Sequence, residues 1–571
     1  MFNNNKINSI INVIYLLLFS SIVNAADTEP SFAGSWIAIL PPVITIAVAL
    51  ITKRVVPALF LGIWMGAWAI NDFGLMGIWT GLLDTFQVFV SNALSNPDHT
   101  AIVLFSMMIG GMVGIISRNG GMQGIVNHIV RWADSARHAC LATASLGLAI
   151  FFDDYANTLV VGNTMRPVTD SMRISRAKLA YIVDSTAAPV ACIAVVTTWI
   201  GYEIGLIGDS ISKMPGLDAE AYLLFLNTIP YSFYPIMAIA FVFMVSASGR
   251  DFGPMLEAER LAQKHGSENS GAVTDKGQET NVLKPVDGKP QRAFNAYIPI
   301  AVMVLGVLVG LYVTGIEAST GIQNPSIQDI IGKADSYTAL MWASLASMMT
   351  AAFLSLAQKI MDLEDVVNAW YHGARDMFMA MIILILAWSL GEVTDILKTA
   401  DFLVSILGDS LPTFILPALV FVLAAATAFA TGSSWGAMGI LFPLAMPLTW
   451  AVMIAQGQAD AEHMHILYSA VSAILAGAVW GDHCSPISDT TILSSLASGC
   501  DHIEHVQTQL PYALIVGGSA VLFGSIMTAL GSPWWLGMSL GLLVLWLFLR
   551  FYGKLSYQDQ ASADRPLPQT V

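Results

Sequence analysis

Between Gly481 and Tyr512 the sequence reads GDHCSPISDTTILSSLASGCDHIEHVQTQLPY, set between the apolar runs Ile466–Trp480 and Leu514–Leu530. Asp482, Ser485, Ser488, Asp489, Thr490 and Thr491 crowd around Pro486, which lacks a backbone donor and opens a helix where it stands. Ionisable groups at membrane depth cost about 2.5–3.5 kcal/mol each on insertion scales, so carboxylates in such a place are functional candidates. Carboxylates, hydroxyls and carbonyls freed by a helix break form a hard-oxygen set. That chemistry suits Na⁺ or H⁺ better than a soft metal.

Three further groups share this character. Asp153, Asp154 and Asn157 stand together in FFDDYANT; Asp184, Ser185 and Thr186 precede Pro189; Ser433 and Ser434 lie between Gly432 and Gly436. Each has a bland alternative: Asp153 as a hairpin-tip cap, Asp489 as the cap of a helix Thr490–Ala497, the hydroxyls at 185 and 186 as relief of a proline kink, and the serines as small packing residues. The expected cation ligands are Asp154, Asn157, Asp184, Ser433, Ser434, Asp482, Ser485 and Asp489, with Asp482 and Asp154 carrying the proton. Two carboxylates that approach one another each favour protonation of the other, which would let one exchange a proton for Na⁺. His483, His502 and His505 invite a pH-sensing role, but Asp501 and Glu504 beside the later pair place those two on a solvated cytoplasmic face. Glu203, Glu392, Asp395 and Arg375 sit near helix ends and read as interfacial. Cys140, Cys192, Cys484 and Cys500 show no metal or redox spacing and read as packing residues.

The elements that hold these residues must be membrane helices. Of 571 residues, 55% are hydrophobic and 11% charged, against about 25% charged in soluble proteins, so the chain is an all-α polytopic membrane protein. A net charge of -15 speaks against a nucleic-acid partner. Residues 1–25 resemble a signal peptide or a first helix. Apolar segments follow at 36–52, 55–71, 76–94, 100–117, 140–166, 178–200, 228–248, 294–315, 336–358, 376–392, 396–431, 434–454, 464–498, 511–530 and 533–551. Basic residues at 53, 54, 166, 173, 176 and 178 mark cytoplasmic ends, and the acidic loops after Gly201 and Gln456 mark the other side.

Residues 249–293 mix seven Lys/Arg with seven Asp/Glu by Arg292 and read as a flexible cytoplasmic linker. It separates a membrane repeat at 26–248 from a second at 294–551, with a cytoplasmic tail at 552–571. Both halves run through an apolar segment, a polar turn, a short apolar piece and a helix broken at an aspartate near proline. Their directions are opposed, which predicts two inverted-topology repeats with re-entrant hairpins and discontinuous helices around a midplane site.

GDHCSPISDTTILSS, DHIEHVQTQLPYAL, FFDDYANTLVVGNTMRP, RISRAKLAYIVDSTAAP with TTWIGYEIG, and ATGSSWGAMGILFPLAMPL together resemble the NhaC-type sodium/proton antiporter family, over about residues 35–550. The resemblance implies a secondary transporter of the ion-transporter superfamily that exchanges Na⁺ for H⁺ across the bacterial inner membrane, without ATP or a cofactor. Its polar membrane motifs fall on Asp153, Asp154, Asn157, Asp184, Ser433, Ser434, Asp482, Ser485 and Asp489. A homodimer is expected by analogy alone. Similar motifs occur in exchangers of malate for lactate and in relatives assigned to amino-acid uptake, so a Na⁺- or H⁺-coupled carrier of a small organic solute is the alternative. A membrane-embedded hydrolase built on Ser433, His483 and Asp482 is a remote third, and no phosphate-binding GxxxxGK[ST] loop supports an ATP-driven pump.

Overall fold

The computed structural model describes residues 30–130, 133–266, 285–320, 325, 327–407 and 412–556; the signal-like residues 1–25 lie outside them. Apart from a two-residue strand pair, every regular element described is helical. Among the described residues nine helices are long and apolar enough to cross a membrane, or up to ten if the pair Ala221–Tyr231 and Phe233–Ser248, bent by 49°, is one span. The chain is a multi-pass membrane protein.

Local chemistry sets where these helices begin and how closely they pack. Pro97–Arg118 starts with Asn96 accepting from the Asp98 N–H and Pro97 at its first position, where a missing donor costs nothing. Leu416–Thr431 and Met464–Cys484 lie together because Gly477 and Gly481 fall one helical turn apart. A Cβ at either would sit 2.4 or 2.0 Å from the Phe421 or Ala425 carbonyl oxygen. Leu363–Asp376, capped by Asp362, lies against Pro97–Arg118. A scan for long apolar runs does not find this helix, since it is amphipathic.

Four expected spans are divided. The segment 140–166 becomes Ala136–Ala149 and Asp154–Ser171, and 178–200 becomes Arg176–Ser185 and Ala188–Ala191 with the next helix beginning at Ile200. The segment 396–431 separates into Thr399–Leu407 and Leu416–Thr431, and 464–498 into Met464–Cys484 and Asp489–Ser498.

The stretch expected to be a flexible linker is ordered over its first part. Arg250–Asp251 pairs antiparallel with Lys554–Leu555, and Gly253–His265 forms a helix with Met255, Leu256, Ala258 and Ala262 buried along one face. Asp251 is buried and takes the Lys178 ammonium, the Tyr512 hydroxyl and the Ser556 hydroxyl. Glu259 accepts from the Ser175 N–H at 2.8 Å. Burial raises the Glu259 carboxyl above its usual range, opposed by the charge of Lys178. These contacts fasten several helices to one another at one end of the bundle.

Candidate functional site

Three helices begin at one buried point. Asp153 is extended and caps Asp154–Ser171 by accepting from the Ala156 N–H at 2.6 Å. Ser433 caps Ser434–Ala455 in the same way, accepting from the Gly436 N–H at 3.2 Å. Ser488, not Asp489, caps the third helix, Asp489–Ser498, through the Thr491 N–H at 3.3 Å. Asp489 occupies its first turn and is exposed, so the capping alternative for this aspartate does not hold. Helix starts carry partial positive charge, which favours carboxylates there.

The end of Met464–Cys484 meets these starts. Asp482 lies in its last turn, and Ser485 terminates it with its N–H on the Asp482 carbonyl at 2.9 Å. The Ser485 hydroxyl donates to the Phe429 carbonyl at 2.7 Å, tying this break to the end of Leu416–Thr431. Gly432 then turns the chain with φ of +67°, and a Cβ there would sit 2.4 Å from the Ile487 carbonyl oxygen.

A cavity of about 10 Å³, room for one water-sized sphere, remains among these ends. Asp154, Ser433, Ser434, Asp482, Asp489 and Thr490 line it, with Tyr155, Gly432 and Trp435. No Lys or Arg is among these lining residues. Asp154 is 1% exposed and Asp482 3%. Both Asp154 oxygens lack a hydrogen-bond partner, as does Asp482 Oδ1; Asp482 Oδ2 accepts from Thr490 Oγ1 at 3.1 Å. The Trp199 indole lies near Asp154 but outside hydrogen-bonding geometry. Asp489 stands at the mouth, within reach of the Arg54 charge.

Three expected ligands sit elsewhere. Asn157 Nδ2 lies 2.7, 3.1 and 2.9 Å from the carbonyls of Gly147, Ile150 and Thr186, closing backbone groups opened by two helix breaks, while its Oδ1 is buried without a partner. Ser485 is engaged as a brace. Asp184, 1% exposed, lies behind the cavity and accepts from Thr491, Ser494 and Gln509. His483 bonds to Tyr234 and Ser185, and none of its hydrogen bonds reaches Ser433.

Two surface assignments are corrected. His505 is fully buried, because it faces inward on His502–Ser519 with Thr508, Gln509 and Tyr512. Glu203, expected at an interface, is also fully buried, in the first turn of Ile200–Ser212. Sequence reasoning missed Gln509 and Tyr234 altogether. Gln509 was detectable as the second of His505, Gln509 and Tyr512, spaced by four and three on an otherwise apolar helix.

The Na⁺/H⁺ antiporter family matches residues 190–528, more than half of the chain. The chain belongs to that family. The matched stretch contains Ser433, Ser434, Asp482, Ser485 and Asp489, and begins after Asp154, Asn157 and Asp184. An uncharacterized protein of Haemophilus influenzae is 33% identical over 493 residues, 85% of this chain and 89% of its own. The malate-2H⁺/Na⁺-lactate antiporter of Bacillus subtilis is 30% identical over 158 residues, 26% of this chain and 29% of its own. Among solved structures, the YdaH transporter of Alcanivorax borkumensis shares the fold with a TM-score of 0.52 at 14% identity, over 80% of this chain and 90% of that one. This family member is therefore a membrane transporter.

Proposed function

We propose that the chain exchanges Na⁺ for H⁺ across the bacterial inner membrane by alternating access, holding the cation between Asp154 and Asp482. One observation carries this: Asp154 Oδ1, Asp154 Oδ2 and Asp482 Oδ1 are buried without a donor beside a space of one small sphere. An ionised carboxylate so placed is costly unless a positive charge meets it. Na⁺ supplies that charge, with Ser433, Ser434 and Thr490 offering neutral oxygens and Asp489 drawing the ion in from the mouth. Protons supply it otherwise. Because the site holds Na⁺ or the proton but not both, release of one accompanies entry of the other.

We read the two halves, 26–248 and 294–551, as inverted repeats joined by 249–293 and followed by the tail 552–571. Asp153 and Ser433 support this by capping equivalent helices after equivalent turns, and Asp184 and Asp482 by preceding equivalent breaks. In that reading Ala136–Ala149 with Asp154–Ser171, and Leu416–Thr431 with Ser434–Ala455, form the two hairpins.

The test uses everted vesicles from cells without their own antiporters, acidified inside and followed with a pH-sensitive dye. Added Na⁺ should collapse the gradient for the native chain and not for Asp482→Asn, with the membrane potential clamped. Equal rates for both would remove Asp482 from the site.

A second reading, a Na⁺- or H⁺-coupled carrier of a small organic anion, is favoured by the partial similarity to the malate/lactate exchanger. It also has a cavity of about 730 Å³ bordered by Lys213, Lys398 and Trp450 to draw on. A dye response that appears only when malate or lactate is supplied would select it.

A further inference from the structure

Behind the cavity, hydrogen-bond accounting leaves one group of side chains short of a proton. Gln509 Nε2 lies 2.6 Å from Asp184 Oδ2 and 2.7 Å from the His483 carbonyl, both acceptors, so its Oε1 must face His505. His505 Nε2, 2.9 Å from that oxygen, therefore carries hydrogen. His502 Nε2 lies 2.6 Å from the Pro486 carbonyl and must carry hydrogen as well. In the neutral rings each Nδ1 is then an acceptor. Both approach the same hydroxyl: Ser495 Oγ is 3.1 Å from His502 Nδ1 and 2.9 Å from His505 Nδ1, and 2.7 Å from the Thr491 carbonyl. One hydroxyl hydrogen cannot serve three acceptors. A proton added to either imidazole turns its Nδ1 into a donor and relieves the conflict.

His505 Nε2 also stands 3.9 Å from Asp184 Oδ2, just beyond a hydrogen bond. At the other end His502 is half-buried and reaches the surface beside Gly499, whose carbonyl accepts from Arg176 at 3.2 Å. Arg166 and Arg176 mark that face as cytoplasmic. The charged and titratable groups facing the row are Asp184 and His483 from neighbouring helices, Cys500, Asp501 and Glu504 at the start of its own, and Arg176.

We propose that His502, Ser495 and His505 form a proton route from the cytoplasm to Asp184, separate from the mouth at Asp489 through which the cation passes. The route deepens the exchange reading above and rests on it. His502 turns its ring to solvent, takes a proton and returns with both nitrogens protonated. Its Nδ1 hydrogen passes to Ser495 Oγ while the Ser495 hydrogen passes to His505 Nδ1. His505 then shifts from Gln509 and gives its Nε2 hydrogen to Asp184 Oδ2. One proton has left the cytoplasm, one carboxylate has become a carboxylic acid, and both imidazoles are neutral. Neutral Asp184 withdraws a negative charge from behind Asp482 and loosens the cavity's hold on Na⁺. Run backward, the same steps deliver to the cytoplasm a proton that Asp184 takes up when the site faces the other side of the membrane.

The test compares two fluxes in proteoliposomes: Na⁺-driven proton movement, and exchange of radioactive for unlabelled Na⁺ without a pH gradient. Removing a positioned proton carrier costs about a hundredfold or more. Ser495→Ala should slow proton movement by that order and leave Na⁺ self-exchange unchanged, while Ser495→Thr restores it by keeping the hydroxyl. His502→Gln, at the surface where folding is least at risk, should lose proton movement selectively too. Equal losses in both fluxes would make Ser495 a structural residue, and no loss in either variant would send the proton elsewhere; both outcomes overturn the route. A native chain with no Na⁺ self-exchange overturns the exchange reading itself, a result distinct from either.

Discussion

Asp184 and Asp482 are the same residue in similar surroundings, each buried within the last turn of a helix that breaks before proline. Their partners differ. Asp482 keeps one oxygen with a single hydroxyl donor and one with none, against a cavity, whereas Asp184 accepts from two hydroxyls and an amide with two imidazoles standing off at 3.7 and 3.9 Å. A carboxylate satisfied by fixed donors is held in place, and one left unsatisfied requires a mobile charge. In the exchange reading proposed above, the pair therefore takes two different tasks.

The most direct way to break this comparison is to neutralise each acid. Asp482→Asn should reduce Na⁺-driven proton movement by about a hundredfold or more while leaving thermal stability in detergent unchanged or higher, since an unpartnered buried charge is removed. Asp184→Asn should instead lower stability, because hydrogen bonds to a charged group are worth about 1.5–3 kcal/mol each. If Asp482→Asn proved the less stable of the two, the contrast would fail.

Gln509→Leu sharpens it from the other side. It strips donors from Asp184 and the His483 carbonyl and an acceptor from His505, so a loss of about 2–3 kcal/mol, read as a lowered melting temperature, is expected. Ser433→Ala should cost about 1 kcal/mol as a lost cap and also weaken Na⁺ dependence. Asp362→Ala, which removes the cap of Leu363–Asp376 through the Asp365 N–H and does not line the cavity, serves as its control: a similar stability loss without the shift in Na⁺ dependence is expected.

The smallest effect belongs far from both acids. Glu259 is held above its usual titration range by burial. An acid whose folded-state value is raised carries no penalty below its unfolded value of about 4.3 and an increasing one above it. Glu259→Gln should accordingly match the native chain near pH 4 and gain slightly in stability toward pH 7. A gain confined to acid pH would reverse the sign and refute it.

The broken helices were legible because prolines, glycines and clustered hydroxyls interrupt apolar runs, and those interruptions fall where the helices end at Cys484 and Thr431. Which carboxylate faces the cavity was not legible. Asp184 and Asp482 carry the same local pattern, and only the packing of Asp489–Ser498 and His502–Ser519 decides that one receives donors and the other does not. His505 was misplaced because Asp501 and Glu504 beside it signal solvent; Asp501 instead caps His502–Ser519 by accepting from the Ile503 and Glu504 N–H groups, and His505 lies one turn in, buried with Gln509. Asn157 was singled out for an amide that the structure divides: its nitrogen bonds backbone carbonyls, while its oxygen is buried without a partner.

The strand pair between Arg250–Asp251 and Lys554–Leu555 has a consequence for biosynthesis. Lys178 is made early, and Ser556 follows every described helix, which at about 5–20 residues per second is roughly half a minute of translation later. Until then the Asp251 carboxylate lacks one of its donors and the helix ends that it joins remain unfastened. The fastening is thus the last part of the described structure to be made: a nascent chain that ends before Lys554 holds every described helix and lacks the strand pair that closes over Asp251.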